Sequence, residues 1–131
     1  EQFHAAPTSQ WNVITKMIDE CDFYLLVIGG RYGSIDEEVG ISYTEKEYNY
    51  AKNKGLPVLV LIKESSAITE SEQDIGDDKY TKMKMLENFR NRVKNGGNTV
   101  DFFTDINHPR HLEMPLTTLM IMLDGFDIEI S

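Results

Sequence analysis

Cysteine is almost absent from this chain, since Cys21 is its only thiol. One thiol cannot form an intramolecular disulfide, which excludes a disulfide-stapled secreted scaffold and suits a reducing cytosol. No basic stretch followed by an apolar one opens the sequence, so we see no secretion signal and expect a cytoplasmic protein. Cys21 has no histidine and aspartate arranged around it, and we expect an inert thiol packed just before a strand.

Basic residues are also scarce, with 13 lysines and arginines against 22 acidic residues and a formal net charge of -9. Such a surface repels phosphate backbones and anionic lipids, which argues against nucleic acid and membranes as partners. No apolar run approaches the length of about 20 residues that spans a bilayer. His108 and His111 have no cysteine or carboxylate at metal-ligand spacing, and His4 is remote. We therefore expect no metal site and no resident cofactor.

Short apolar runs alternate with helical periodicity. Residues 23–28 and 58–62 are continuously apolar, as in strands buried on both faces of a parallel sheet, and residues 99–104 form a shorter strand. Helical spacing is found before, between and after them, at residues 9–20, 44–54, 78–94 and 116–124. Right-handed crossovers make the strands parallel and place helices on both faces. The order predicts a single three-layer, doubly wound α/β domain, in which the acidic, serine-rich residues 63–77 form a mobile loop.

The loop after the first strand is the default ligand site, because ligands of open parallel sheets bind outside the carboxyl ends of strands. Gly29, Gly30 and Gly33 let the backbone approach a ligand, Arg31 offers a fork for phosphate or carboxylate, and Tyr32 offers a ring for stacking. These residues favour a nucleotide or sugar-phosphate pocket. The alternative is a tight turn with Arg31 in a structural ion pair, since the glycine spacing matches neither dinucleotide nor P-loop motifs.

Two glutamates at the start of the second helix are candidates for chemistry. A carboxylate beside a glycine-rich pocket can act as a nucleophile or stabilise an oxocarbenium-like centre. The alternative is structural, because Ser42-x-x-Glu45 and Thr44-x-x-Glu47 both fit a capping box, and only one of them can form it.

The sequence resembles domain-of-unknown-function family 4062 in residues 18–34 (IDECDFYLLVIGGRYGS) and 40–48 (GISYTEKEY), followed by Ala51 and residues 55–58 (GLPV). That family is placed near the Toll/interleukin-1 receptor (TIR) domains and the nucleoside deoxyribosyltransferases. The resemblance implies a flavodoxin-like, TIR-like sheet in a module of a larger intracellular signalling or defence protein, so further domains of the same polypeptide are expected partners.

The resemblance also implies a reaction. In TIR enzymes a helical glutamate cleaves the N-glycosidic bond of NAD, and the family pattern of an aromatic residue, Glu four residues on and Ala after another four matches Tyr43, Glu47 and Ala51. It therefore assigns the catalytic role to Glu47, with residues 29–33 shaping the pocket and Ser42 as a further polar contact. NAD or a related nucleotide is then a substrate. The alternative function is a non-catalytic, homotypic protein-interaction domain.

The chain lacks the strand and helix that open the resembling family, and residues 1–7 match the end of its second strand. We therefore expect an N-terminally incomplete domain that is inactive by itself, because the loop of the first strand helps to close the pocket. An unpaired strand edge and uncovered apolar faces favour self-association.

Overall fold

The computed structural model describes residues 7–104. Helix α1 spans Pro7–Asp19, and strand β1 spans Tyr24–Ile28. A short hairpin, β2 (Ile35–Asp36) and β3 (Ile41–Ser42), leads into helix α2, Tyr43–Asn53. Strand β4 (Val58–Lys63), two one-turn 3-10 helices (Ser65–Ala67 and Glu70–Glu72), helix α3 (Lys79–Lys94) and strand β5 (Thr99–Phe103) follow. The histidine pair and the apolar helix predicted at residues 116–124 lie outside the described residues.

The predicted α/β fold with a parallel sheet is confirmed. The strands are arranged in the order β1-β4-β5, and both neighbouring pairs run parallel. Tyr24 is opposite Val58 and Leu59 is opposite Thr99, which aligns the three carboxyl ends along one edge. This layout is consistent with a flavodoxin-like sheet, and the observed bounds of these strands and of α2 and α3 agree with the prediction to within one residue.

A hairpin that the sequence pattern did not predict lies between β1 and α2. Ile35 pairs with Ser42 and Asp36 with Ile41 in an antiparallel ladder. The turn closes because the Gly40 amide donates to the Asp36 carbonyl at 2.7 Å, and Gly40 adopts a φ of 85°, which favours glycine. The Asp36 carboxylate forms an ion pair with Lys46 at 2.6 Å, which ties the hairpin to α2.

One face of the sheet carries the main core. Side chains from alternate positions of β1 and β4 meet the inward faces of α2 and α3, and Tyr32 packs among them. Within the core, the Tyr48 and Phe89 rings stack edge to face, with centroids 5.6 Å apart. On the opposite face Leu59, Leu61 and Phe103 are buried together. Leu25 and Val27 of β1 share that second face but are 39% and 45% exposed.

Helix α1 packs against α2 through an aromatic contact and a shared carboxylate. The Trp11 and Tyr50 rings meet edge to face, with centroids 6.1 Å apart. Asp19 accepts a hydrogen bond from the Tyr50 hydroxyl at 2.6 Å and an ion pair from Lys54 at 3.2 Å. These partners lower the pKa of the Asp19 carboxyl and offset the unfavourable position of an anion at a helix C-terminus.

Cys21 does not pack before the strand as predicted. It is exposed, and its Sγ donates to the Met17 carbonyl at 3.2 Å, which places the thiol at the solvated end of α1. None of the helices among residues 7–104 has the length and apolar character needed to cross a bilayer.

The segment predicted as a mobile loop has more local structure than expected. Its two 3-10 turns are held to the sheet by an ion pair of 2.5 Å between Lys63 Nζ and Glu72 Oε2, and Asp74 is buried. The Glu72 carboxylate also accepts hydrogen bonds from the Thr69 amide and hydroxyl, and together these contacts lower the pKa of Glu72 to about 2. Mobility of the segment stays a prediction.

Candidate functional site

Ser42 caps helix α2. Its backbone is extended, and its Oγ accepts a hydrogen bond from the Glu45 amide at 3.0 Å. This contact decides between the two capping boxes that the sequence allows, because the cap is Ser42 and not Thr44. Ser42 is 1% exposed and its side chain caps the helix, and a polar contact from Ser42 to a ligand stays a prediction.

In a capping box the Glu45 side chain would accept a hydrogen bond from the Ser42 amide. Here the Tyr32 hydroxyl lies between the two groups and accepts that hydrogen bond instead. The Ser42 amide donates to the Tyr32 hydroxyl at 3.0 Å, and that hydroxyl donates to Glu45 Oε1 at 2.5 Å. The second oxygen of Glu45 pairs with Arg92 at 2.6 Å. Tyr32 is 3% exposed and its ring packs in the core, and stacking of this ring on a ligand stays a prediction.

Glu47 has different surroundings, although it is only two residues further along the same helix. The Tyr24 hydroxyl donates to its Oε1 at 3.2 Å. Glu47 is half-buried, and among residues 7–104 no lysine, arginine or histidine forms an ion pair with it. Burial, and then the negative charge of Glu47, raise the pKa of Tyr24 well above its ordinary value, so the hydroxyl remains a donor.

The backbone amides of the glycine loop are already occupied by an anion from the same chain. Asp74 accepts hydrogen bonds from the Tyr32 amide at 2.7 Å and from the Gly33 amide at 3.2 Å. The Arg31 guanidinium donates to the Ser71 carbonyl at 3.2 Å. The sequence predicted a ligand anion at this loop, whereas the structure places the Asp74 carboxylate there.

The three glycines of the loop have three different environments. A Cβ on Gly30 would lie 2.6 Å from Ile68 Cγ2 and 2.9 Å from the Glu72 carbonyl oxygen, so this glycine permits close packing of the chain segment after β4. Gly33 has a φ of 93°, a backbone conformation that glycine adopts readily and that residues with a Cβ rarely adopt. Gly29 has open space around the position of a Cβ.

A cavity of about 230 Å³ opens next to Gly30, at the carboxyl edge of the sheet. Its polar lining comes from Ser65, Gln73, Glu87 and Arg90, and its apolar lining from Ile68, Met83 and Leu86. Sequence reasoning identified Gly30 alone among these residues. The sequence signal that was missed lies in α3. Glu87 follows Met83 by four residues and Arg90 follows Leu86 by four, so the two charged residues lie on the same face of the helix as the two apolar ones.

Four of the seven predicted site residues fall into three separate places. Tyr32 and Ser42 meet at the cap of α2, Gly30 borders the cavity beside α3, and Glu47 lies against Tyr24. Within the described part of the chain, no three histidine, cysteine, aspartate or glutamate residues are arranged to hold a metal ion.

Comparison with known proteins identifies the family of the chain. No curated protein and no solved structure matches the chain. A model of the family described as "Domain of unknown function (DUF4062)" matches residues 1–114, which covers every structural element described above. The relation of this family to TIR domains stays a prediction. On the family match, the chain belongs to the DUF4062 family.

Proposed function

We propose that this chain is part of a nucleotide-binding signalling or defence module, in which Glu47 cleaves the N-glycosidic bond of an NAD-type substrate. The observation that carries the proposal is the state of the Glu47 carboxylate. The cap of α2 is provided by Ser42 and the ion pair with α3 by Glu45, so neither task falls on Glu47. A carboxylate at this position with one tyrosine partner is available for chemistry.

The reaction needs a fixed negative charge. When the bond between nicotinamide nitrogen and ribose breaks, the electron pair leaves with nicotinamide and positive charge develops on the ribose. A carboxylate beside the anomeric carbon stabilises that charge or traps it covalently, and water then supplies the new hydroxyl and releases a proton. Among the described residues no cation pairs with Glu47, so its charge is not already neutralised.

Tyr24 is suited to hold this carboxylate in place. Its raised pKa keeps the hydroxyl protonated at neutral pH, where it donates to Oε1 and leaves Oε2 open. One hydrogen bond restricts rotation of the carboxylate without cancelling its charge. Tyr24 is thus a positioning residue for Glu47.

The test is NAD turnover by the full-length protein. We expect Glu47→Gln to lower turnover by about 100- to 1000-fold, as does the removal of other groups that stabilise a charged transition state. The melting temperature stays unchanged, because the glutamine carbonyl still accepts from Tyr24. Glu37→Gln, the same change at an exposed position, is the matched control. The proposal fails if the wild-type protein turns over neither NAD nor related nucleosides, or if Glu47→Gln retains full turnover.

A second candidate function is homotypic assembly without catalysis. The observation that favours it is the exposure of Leu25 and Val27 on β1, which is an edge strand in the sheet as described. Exposed apolar positions on an edge strand favour pairing with another copy. We expect Val27→Lys to shift wild-type oligomers toward monomers in light scattering, and neither the wild-type protein nor the variant to turn over NAD. Unchanged oligomers would remove this candidate.

A further inference from the structure

The cavity beside α3 is separate from Glu47 and from the cap of α2, and it combines three kinds of lining. Arg90 supplies a cation, Glu87 supplies an anion, and Ile68, Met83 and Leu86 supply an apolar wall. Gln73 and Ser65 add neutral polar groups at the side of the segment that follows β4. A ligand that fits this lining needs an anion, a cationic donor and an apolar body.

The Arg90 guanidinium is fixed in place and only partly used. Its Nη2 donates to the Lys63 carbonyl at 2.9 Å and to Ser65 Oγ at 3.3 Å. Both bonds come from one nitrogen, so in the described part of the chain Nη1 and Nε are left to face a carboxylate. Burial lowers the pKa of Arg90 from its ordinary value, which reflects a guanidinium partly removed from water.

Glu87 precedes Arg90 by three residues, a spacing that puts the two side chains on one face of α3 with Cβ atoms about 5–6 Å apart. Within residues 7–104 neither residue forms an ion pair with the other or with a third residue. The two charged side chains are thus adjacent but do not pair with each other. A ligand that carries both an anion for Arg90 and a cation for Glu87 can bridge them.

We propose that this cavity binds an α-amino acid with an apolar side chain. The ligand carboxylate meets Arg90, the ammonium meets Glu87, and the side chain lies against Ile68, Met83 and Leu86. This assignment does not depend on the proposed reaction at Glu47.

The charges of the lining exclude other small ligands. A second carboxylate or a nucleotide phosphate near Glu87 is repelled by that residue and by the net charge of -9, whereas a simple amine leaves the Arg90 guanidinium without an anionic partner. A zwitterion has no net charge and satisfies both residues. A cavity of about 230 Å³ suits a ligand of the size of a single amino acid.

The experiment titrates the full-length protein with leucine, methionine and phenylalanine, and follows amide chemical shifts of Gly30, Ser65 and Gln73 together with the heat of binding. We expect saturable binding of at least one of them. N-acetyl-leucine, which lacks the ammonium, and leucinamide, which lacks the carboxylate, each bind about 10- to 100-fold more weakly than leucine, the effect of losing a charge-assisted hydrogen bond.

Variants connect the binding to the cavity. Glu87→Gln alters an exposed side chain without a partner in the described part of the chain, so the fold is retained, and leucine binding weakens by about 10- to 100-fold. Glu37→Gln leaves it unchanged. The proposal is overturned if none of the three amino acids saturates, if N-acetyl-leucine binds as tightly as leucine, if adenosine monophosphate binds instead, or if Glu87→Gln has no effect.

Discussion

Helix α2 carries two glutamates, and each accepts a hydrogen bond from a tyrosine. Glu45 accepts from Tyr32, which follows β1, at 2.5 Å, and Glu47 accepts from Tyr24, the first residue of β1, at 3.2 Å. Glu45 also pairs with Arg92, so it links the loop after β1, the start of α2 and helix α3. Glu47 has no such network among the described residues.

The difference arises from helical geometry. At 3.6 residues per turn, residues two apart are separated by about 200° around the helix axis, so they face different neighbours. The Glu45 side faces α3, and the Glu47 side faces β1. Glu45 therefore connects several elements of the fold, whereas Glu47, in the same helical turn, is held by a single hydrogen bond.

The largest effect is expected on the stability of the protein when either glutamate is replaced by alanine. We expect Glu45→Ala to lower the free energy of unfolding by about 1–3 kcal/mol, because the Tyr32 hydroxyl loses its acceptor and Arg92 loses its ion pair, although Arg92 still donates to Asn49. Glu47→Ala is expected to cost less, since a single longer hydrogen bond is lost. Urea denaturation of the two variants measures the difference.

A double-mutant cycle sharpens the same test. Tyr32→Phe and Glu45→Gln are expected to couple, whereas Tyr24→Phe and Glu47→Gln are expected to couple less strongly. Equal coupling energies for the two pairs would contradict the stronger structural role of Glu45.

A smaller effect is expected from the cap itself. Ser42→Ala removes the acceptor for the Glu45 amide and should lower the free energy of unfolding by about 0.5–2 kcal/mol. Thr44→Ala is the matched control, and as an exposed position outside the cap it should stay within about 0.5 kcal/mol of wild type. Thermal unfolding of the two variants decides the matter, and a larger loss for Thr44→Ala would place the cap elsewhere.

The smallest expected effect concerns alkaline pH. Burial first, and then the neighbouring glutamate, raise the pKa of both tyrosines above the ordinary value of 10.0. The folded state then holds these protons more tightly than the unfolded chain, so the stabilisation is complete below pH 10 and is lost as the pH rises through the folded-state pKa. Tyrosinate absorbance should therefore appear late, and Tyr24→Phe and Tyr32→Phe should each flatten the loss of stability above pH 10. A tyrosinate titration centred on pH 10 for every tyrosine would contradict this.

Much of the fold follows from local sequence. The apolar runs at residues 23–28 and 58–62 predict β1 and β4 because continuous apolar runs are typical of strands in parallel sheets. Burial on both faces is observed for β4, whereas Leu25 and Val27 of β1 are 39% and 45% exposed. Gly55 and Pro57 mark the end of α2, and the observed φ of 81° at Gly55 agrees with a left-handed cap. The hairpin at residues 35–42 was missed because strands of two residues have too few positions to show a period.

The site was less predictable because its contacts join distant parts of the chain. Tyr32 looks like a stacking residue in a glycine-rich loop, and only the position of Glu45 reveals its role in the core. Asp74 lies in a segment without apolar period, 42 residues from the Tyr32 amide it accepts from. In the sequence, Arg90 and Glu87 look like ordinary surface charges of a helix. Their place in the cavity becomes visible only in the structure, where the segment after β4 forms the other wall.

The Asp74 contact has a consequence for chain entropy. Residues 64–78 connect β4 to α3, and a free connection of that length pays a closure cost that grows with the logarithm of its length. The bond from Lys63 to Glu72 and those from Asp74 to the loop after β1 divide the connection into shorter closed segments. Ile68 and Gln73, which line the cavity beside α3, lie within these shorter segments, so the contacts of Glu72 and Asp74 also limit the positions that this wall of the cavity can take.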